Sequence, residues 1–236
     1  AGNTWATLLG AHSVFGMMSC VDRPALATTI PTRHQDAVLL DVGATIDCRP
    51  RHILQFAAMG TVYAKKVLGI ASPRVGLLSI GEEATKGNEL TRDAYHLLSD
   101  SRLQFIGNLE ARDLYSGDAD VIVCDGFTGN VALKVSEGLV EVVGDLLRDE
   151  LNRTFTTQLG YLLSRRSYRR FQRRVDYSEY GGAPLLGVAG LAVVGHGRSS
   201  VKAVRNALAL TYRFVRKGFV QSIDESMLSL SEERCK

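Results

Sequence analysis

Short runs of apolar residues alternate along this chain with longer stretches in which apolar positions recur every three to four residues. The first pattern fits a buried strand, the second a helix packed on one face. The spacing predicts helices over about 4–18, 51–68 and 88–99, and strands at about 25–30, 37–42, 74–80, 103–106 and 120–124. It then predicts a long helix from 130, strands near 185–194, and helices at about 200–216 and 222–231. Strands followed by helices predict an α/β protein with a largely parallel sheet, continuous over residues 1–236. The pattern breaks once, at 153–180, where arginine replaces the apolar positions and no strand can be placed. No repeat or low-complexity segment is present.

Open α/β sheets bind ligands at the carboxyl ends of their strands, so the loops after the strands carry the candidate chemistry. After "AVLLDV" come Asp41, Gly43, Thr45, Asp47 and Arg49, with Pro50 opening a helix where its missing N–H is harmless. After "RVGLLSI", Gly81 and Gly87 bracket Glu82, Glu83 and Lys86, and Asn88 is placed to cap the next helix. After "DVIVC" come Asp125, Gly126, Phe127, Thr128, Gly129 and Asn130; after "LAVVG" come His196, Gly197, Arg198, Ser199 and Ser200. Each joins a strand to a helix N-terminus, where free N–H groups and the helix dipole favour an anion. Any one of them is equally a tight turn. Four together predict one shared cleft. No Walker pattern, G-x-G-x-x-G or G-x-S-x-G occurs, which removes the usual nucleotide and serine acyl-enzyme signals.

Composition adds limits. With 236 residues, 45% of them hydrophobic, the chain can bury a large core. A net charge of +3 gives no reason to expect nucleic acid as a partner. Cys20, Cys48, Cys124 and Cys235 lack metal or redox spacing and read as reduced thiols of a cytosolic protein, with Cys124 in a packing role. No apolar stretch is long enough to span a bilayer. His196 suits a general base or a structural hydrogen bond. Lys86, Arg49 and Lys134 suit anion contacts or a solvated surface. Asp125, Glu82 and Glu83 have no metal-specific spacing, and no metal is predicted.

The segments "AGNT" (1–4), "LLDVGATIDCRP" (39–50), "LLSIGEEATKGNE" (77–89), "DVIVCDGFTGNVALKVSEG" (120–138), "YGGAPLLGV" (180–188) and "GHGRSS" (195–200) resemble the bacterial phosphate acyltransferases of phospholipid synthesis, the PlsX family. The resemblance spans essentially the whole chain. It implies a three-layer α/β/α sandwich like isopropylmalate dehydrogenase and phosphotransacetylase. It also implies a homodimer with no cofactor, and acyl transfer from acyl-[acyl-carrier-protein] to inorganic phosphate, giving acyl phosphate for phosphatidic acid synthesis. Lys86, Asn88 and His196 are then the catalytic candidates. Asn3, Thr4, Gly43, Arg49, Asp125, Gly126, Thr128, Gly129 and Asn130 are the phosphate and substrate candidates. Family members begin with further chain, including a strand and an Asp- and Gly-rich loop, so this sequence is expected to be a fragment lacking one wall of the site. A coenzyme A-dependent short-chain phosphotransacylase, or an inactive membrane-binding or dimerisation module, stays open.

Projected at 100° per residue, Tyr161, Ser164, Tyr168, Phe171 and Val175 share one face, with Arg165, Arg166, Arg169, Arg170, Arg173 and Arg174 opposite. Such a helix suits a hairpin with the long helix before it, an anionic membrane, an acidic partner or nucleic acid. The resemblance favours a protruding hairpin at 140–176 whose tip, with Leu159, Leu162, Leu163, Arg165 and Arg166, touches the inner face of the cell membrane from the cytoplasm.

Overall fold

The computed structural model describes residues 4–175, 181–195, 197 and 199–233. In chain order the elements are α1 (Thr4–Phe15), β1 (Ala25–Pro31), β2 (Asp36–Leu40), α2 (Pro50–Tyr63), β3 (Arg74–Ser79), α3 (Glu89–Ser99), β4 (Gln104–Glu110) and β5 (Val121–Val123). There follow α4 (Gly126–Asn152), α5 (Phe155–Val175), β6 (Ala183–Leu186), β7 (Ala192–Val194), α6 (Val201–Arg216) and α7 (Phe219–Glu233). All the strands join one sheet in the order β4-β3-β5-β2-β1-β6-β7.

The predicted parallel character holds for half of that sheet. β2, β3, β4 and β5 run parallel, whereas β1 is antiparallel to β2, β6 to β1 and β7 to β6. Following the reversals, β6 points the same way as β2, and β7 the opposite way. The residue pattern within β1, β6 and β7 carries no signal of direction, since it looks alike in either orientation; only the short links between β1 and β2 and between β6 and β7 do.

Two cores separate the layers. On one face α2 is buried from His52 to Tyr63 beneath α3, α6 and α7. There the Tyr63, Phe214 and Phe219 rings meet with centroids 4.4–5.9 Å apart, and the Tyr63 hydroxyl lies 3.0 Å from Thr29 Oγ1. On the other face Leu8 and Ala11 of α1 and the first turns of α4 cover Leu26, Leu39, Leu78 and Ile122. This is the expected α/β/α arrangement. At the amino ends of β2 and β3, Asp120 accepts three bonds from Arg74 at 2.8–3.0 Å and one from Gln35 at 2.6 Å, tying three strand starts together.

The long helix begins four residues earlier than the spacing predicts, with Asp125 as its N-cap. At 27 residues it spans about 40 Å, roughly twice the length of a six-residue strand. It crosses the sheet to reach Tyr115, which bonds Ser136 and also accepts from Arg33 in the β1–β2 turn. Beyond that point α4 continues past the sheet, turns at Arg153 and Thr154, and returns as α5, whose Arg174 donates to Thr32 O at 2.8 Å. Within α5, Tyr161, Tyr168 and Val175 are half-buried and Tyr161 packs edge-to-face on Tyr168 at 5.2 Å, while the arginines are exposed. Leu159, Leu162 and Leu163 are exposed on the second and third turns of α5, after the bend.

Candidate functional site

β3, β5 and β2 are adjacent and parallel, so the loops that follow them leave the same end of the sheet about 5 Å from neighbour to neighbour. These are the loops at 80–88, 124–125 and 41–49. The fourth expected loop, 195–200, follows β7 and therefore leaves from the opposite end. Its place in a shared cleft is not supported by this chain's topology; Ser200 instead caps α6 by accepting from Ala203 N at 3.2 Å. His196 and Asn3 lie outside the described residues. Thr4 opens α1.

The middle loop is the tightest. Asp125 accepts from Thr128 N at 2.9 Å and from Thr128 Oγ1 at 2.6 Å. Asp125 is thus the helix cap and Thr128 its donor. Gly126 N donates to Thr45 O at 2.8 Å. A β-carbon on Gly126 would lie 2.7 Å from Thr45 O, and one on Gly129 would lie 1.9 Å from Asp41 O. Both glycines therefore let the start of α4 press onto the β2–α2 loop; both are buried and face protein. Asn130 is exposed, next to Gly43, at which a β-carbon would meet Asn130 Cβ and Oδ1 at 3.7 Å.

Asp41 anchors the β2–α2 loop from inside the sheet. It has no solvent exposure, and its carboxylate accepts from the main-chain N–H groups of Leu26, Gly43, Ala44 and Thr45 at 2.5–3.1 Å. Burial pushes its carboxyl up to about 6, with those four donors acting in the other direction. Arg49, exposed, precedes α2; its N–H donates to His52 Nδ1 at 3.1 Å. The His52 pKa is held below its usual value, first by burial, and the neutral ring keeps this acceptor free. Asp41 and His52 were not singled out as site residues from the sequence. The signals available were an acid closing the unbroken apolar run Ala37–Leu40, and a histidine three residues after the helix-capping position.

In the β3–α3 loop Gly87 has φ +99°, in the left-handed region, and a β-carbon there would collide with Thr91 Oγ1 and Ser79 Oγ. Asn88 caps α3 by accepting from Thr91 N at 2.9 Å, which leaves its Nδ2 as a donor. Asn108 of β4 donates to Glu83 O at 2.9 Å, the carbonyl that also accepts from Lys86 N at 3.0 Å. Lys86 is exposed and takes part in none of the ion pairs among the described residues. Lys134, by contrast, pairs with Glu137 at 2.7 Å and belongs to the helix surface.

Three large apolar side chains stand exposed on these same loops: Ile46, Ile80 and Phe127, at 63%, 80% and 64%. The two thiols beneath are inert. Burial, then Asp41 and Asp125, push Cys48 up to about 12, and burial first of all raises Cys124 well above the usual thiol range. An open apolar groove of about 620 Å³ lies apart from the loops, between Met17, Met18, Leu191 and the α6–α7 turn at Phe214–Phe219.

Three loops, two capped helix N-termini and one unpaired lysine at a single sheet end make a candidate anion site beside an apolar rim. Comparison with known proteins places the chain in a family. The fatty acid synthesis protein family profile matches residues 1–222. The phosphate acyltransferase of Geotalea uraniireducens (strain Rf4) is 48% identical over 227 residues, covering 96% of this chain and 66% of that protein. Those of Acidobacterium capsulatum and Heliobacterium modesticaldum are 51% and 49% identical, over 95% and 100% of this chain and 66% and 70% of theirs. The chain thus spans about two thirds of the length of the curated relatives it matches. In fold it resembles the EutD phosphotransacetylase of Staphylococcus aureus, with a TM-score of 0.54 at 14% identity over 90% of this chain and 58% of that one. A phosphotransacetylase of Streptococcus pyogenes gives 0.51 at 16% identity, over 92% and 59%. With its profile match and its relatives at about half identity, the chain belongs to the fatty acid synthesis protein family, among the phosphate acyltransferases.

Proposed function

We propose that the protein transfers an acyl group from acyl-[acyl-carrier-protein] to inorganic phosphate, forming acyl phosphate for phospholipid synthesis. The observation that carries this reading is the convergence of the β2, β3 and β5 loops, with the N-termini of α3 and α4 and the unpaired Lys86, at one end of three adjacent strands. The names of the relatives support phosphate as acceptor. Ile46, Ile80 and Phe127 on the same loops support an aliphatic donor.

In the reaction a phosphate oxygen attacks the thioester carbonyl. A C–O bond forms, the carbonyl oxygen becomes an oxyanion, and the C–S bond breaks as the carrier thiolate leaves to take up a proton. Phosphate is itself the nucleophile, so the protein's part is to place it and to supply donors to the two anions. Lys86, Asn88 Nδ2, Asn130 and Arg49 are assigned to those contacts, with Asn3 and Thr4 as further candidates and Gly43, Asp125, Gly126, Thr128 and Gly129 shaping the floor; His196, which follows β7, is not assigned to them. Neither Cys48 nor Cys124 is assigned a covalent role, since both thiols stay protonated near neutral pH.

The experiment is acyl-phosphate formation from long-chain acyl-carrier-protein and phosphate, followed by phosphorus NMR. Lys86→Ala should slow it about tenfold or more with folding intact, because a charge-assisted contact contributes about 1.5–3 kcal/mol. Cys124→Ala should leave the rate nearly unchanged. A Lys86→Ala variant at the parent rate removes that residue from the site. Activity lost in a folded Cys124→Ala variant restores an acyl-enzyme route.

The hairpin supports two further parts of the reading. Val131, Val135, Leu139, Val142, Val143 and Leu146 form an exposed apolar stripe along α4, which we assign to a homodimer contact. Phe155, Leu159, Leu162 and Leu163, close to the exposed arginines of α5, are assigned to peripheral contact with the anionic inner face of the cell membrane from the cytoplasm. Among the described residues no helix is long and apolar enough to cross a membrane.

A further inference from the structure

A carboxylate is seldom taken wholly out of water without a cation beside it. Asp41 is such a case: it is fully buried, and its hydrogen-bond partners are four main-chain N–H groups. Leu26 N belongs to β1; the other three, Gly43, Ala44 and Thr45, are consecutive in the β2–α2 loop. With those three held, Thr45 O receives Gly126 N at 2.8 Å and Gly43 lies against Asn130. The Asp41 carbonyl meets α4 as well, at Gly129. One side chain thus shapes the loop on which the first turn of α4 rests.

We propose that Asp41 is a positioning residue: its ionised carboxylate clamps Gly43–Thr45 in the conformation that seats the α4 N-terminus, and anion binding in the cleft depends on that clamp. The anion is named on the strength of the phosphate reading above; the clamp stands on the hydrogen bonds alone.

Titration separates this role from mere packing. A proton added to either Asp41 oxygen faces N–H donors, so the loop must shift to admit it. Burial raises the Asp41 carboxyl to about 6. Because the folded value lies above the unfolded one, Asp41's contribution to stability is fully present below the unfolded pKa and is lost as pH rises through about 6. Anion binding has the opposite sign, since it requires the ionised clamp. The thiols facing Asp41, Cys48 from the loop and Cys124 from the end of β5, stay neutral over this range. Asp125, from the α4 cap, bears on both thiols, and Asp47, from the loop, on Cys48.

The test is calorimetric titration of the protein with inorganic phosphate, and with sulfate as a probe of constant charge, at a series of pH values spanning 6. A thermal melt and amide exchange are recorded at each pH. In the wild type, sulfate affinity should fall as pH drops through about 6, with no fall in the melting midpoint assignable to Asp41. Asp41→Asn should bind at least about tenfold more weakly at neutral pH, and its residual sulfate binding should be flat across the series. A folded Asp41→Asn variant that binds within twofold of wild type overturns the proposal, as does wild-type binding that merely follows the melting midpoint. If Asp41→Asn does not fold, the wild-type series decides by the same criteria. If the wild type binds neither anion at any pH, the phosphate reading fails and exchange decides the clamp. Protection at Ala44, Thr45 and Gly126 lost together on acidification supports it, and protection retained overturns it.

Discussion

At the scale of single residues, the segment Cys124–Asn130 reads in the sequence as an anion-binding loop or a tight turn, and its glycines are where one main chain meets another. Gly129→Ala puts a β-carbon 1.9 Å from Asp41 O, so the helix must move away from the sheet. We expect a loss of at least about 2–3 kcal/mol, read as a lowered denaturation midpoint by circular dichroism. Gly138→Ala, on an open part of the same helix, should be neutral or slightly stabilising. At the other sheet end, burial works to raise the Asp120 carboxyl, but the bonds from Arg74 and Gln35 outweigh it and the pKa is lowered overall. A depressed folded value contributes stability above the unfolded pKa, which is lost as pH falls through the folded one. Asp120→Asn should therefore lower the melting midpoint at neutral pH and much less in strong acid. An equal drop at both would show that the ion pair contributes nothing. The motif residues were legible as a set. What each of them touches was not, because capping and close approach depend on a partner loop eighty residues away.

At the scale of elements, α4 and α5 stand out because their burial does not match their composition. α5 has no buried residue and α4 has two, both glycines at its start. The apolar stripe of α4 runs over about four turns, from Val131 to Leu146, and α6 adds Val201, Val204, Leu208, Tyr212 and Val215 at helical spacing. A second copy covering the α4 stripe predicts a dimer that Leu139→Glu with Val143→Glu turns into a monomer, as read by sedimentation equilibrium. A monomer already in the parent would contradict that assignment. Vesicle sedimentation examines the other end: binding to anionic vesicles should weaken with salt and in Leu162→Glu or Leu163→Glu, whereas equal binding to neutral vesicles would count against the arginines. The hairpin itself was legible from the alternation of its apolar and arginine faces. The break in the apolar pattern at 153 marks its bend, whereas the N-cap of α4 was hidden behind glycines that usually end helices.

At the scale of the whole molecule, the chain places three parallel strands side by side so that their loops meet, and then reverses direction across β1, β6 and β7. The alternation of strands and helices followed from periodicity, and the three layers from the family resemblance. The reversal lies in the links and not in the apolar runs: the four residues between β1 and β2 and the five between β6 and β7 are too few for a parallel crossover. Because of it the chain leaves β7 at the sheet end opposite the loops after β2, β3 and β5, which carry the proposed cleft. The most direct measurement is a titration of inorganic phosphate into nitrogen-15-labelled protein, with the main-chain amide shifts followed residue by residue. The account predicts that shifts concentrate and saturate together at 43–49, 81–89 and 125–131, and that Lys86→Ala weakens all three sets in parallel. Shifts confined to the 195–200 end of the sheet, or absent from the three loops at saturating phosphate, would contradict it.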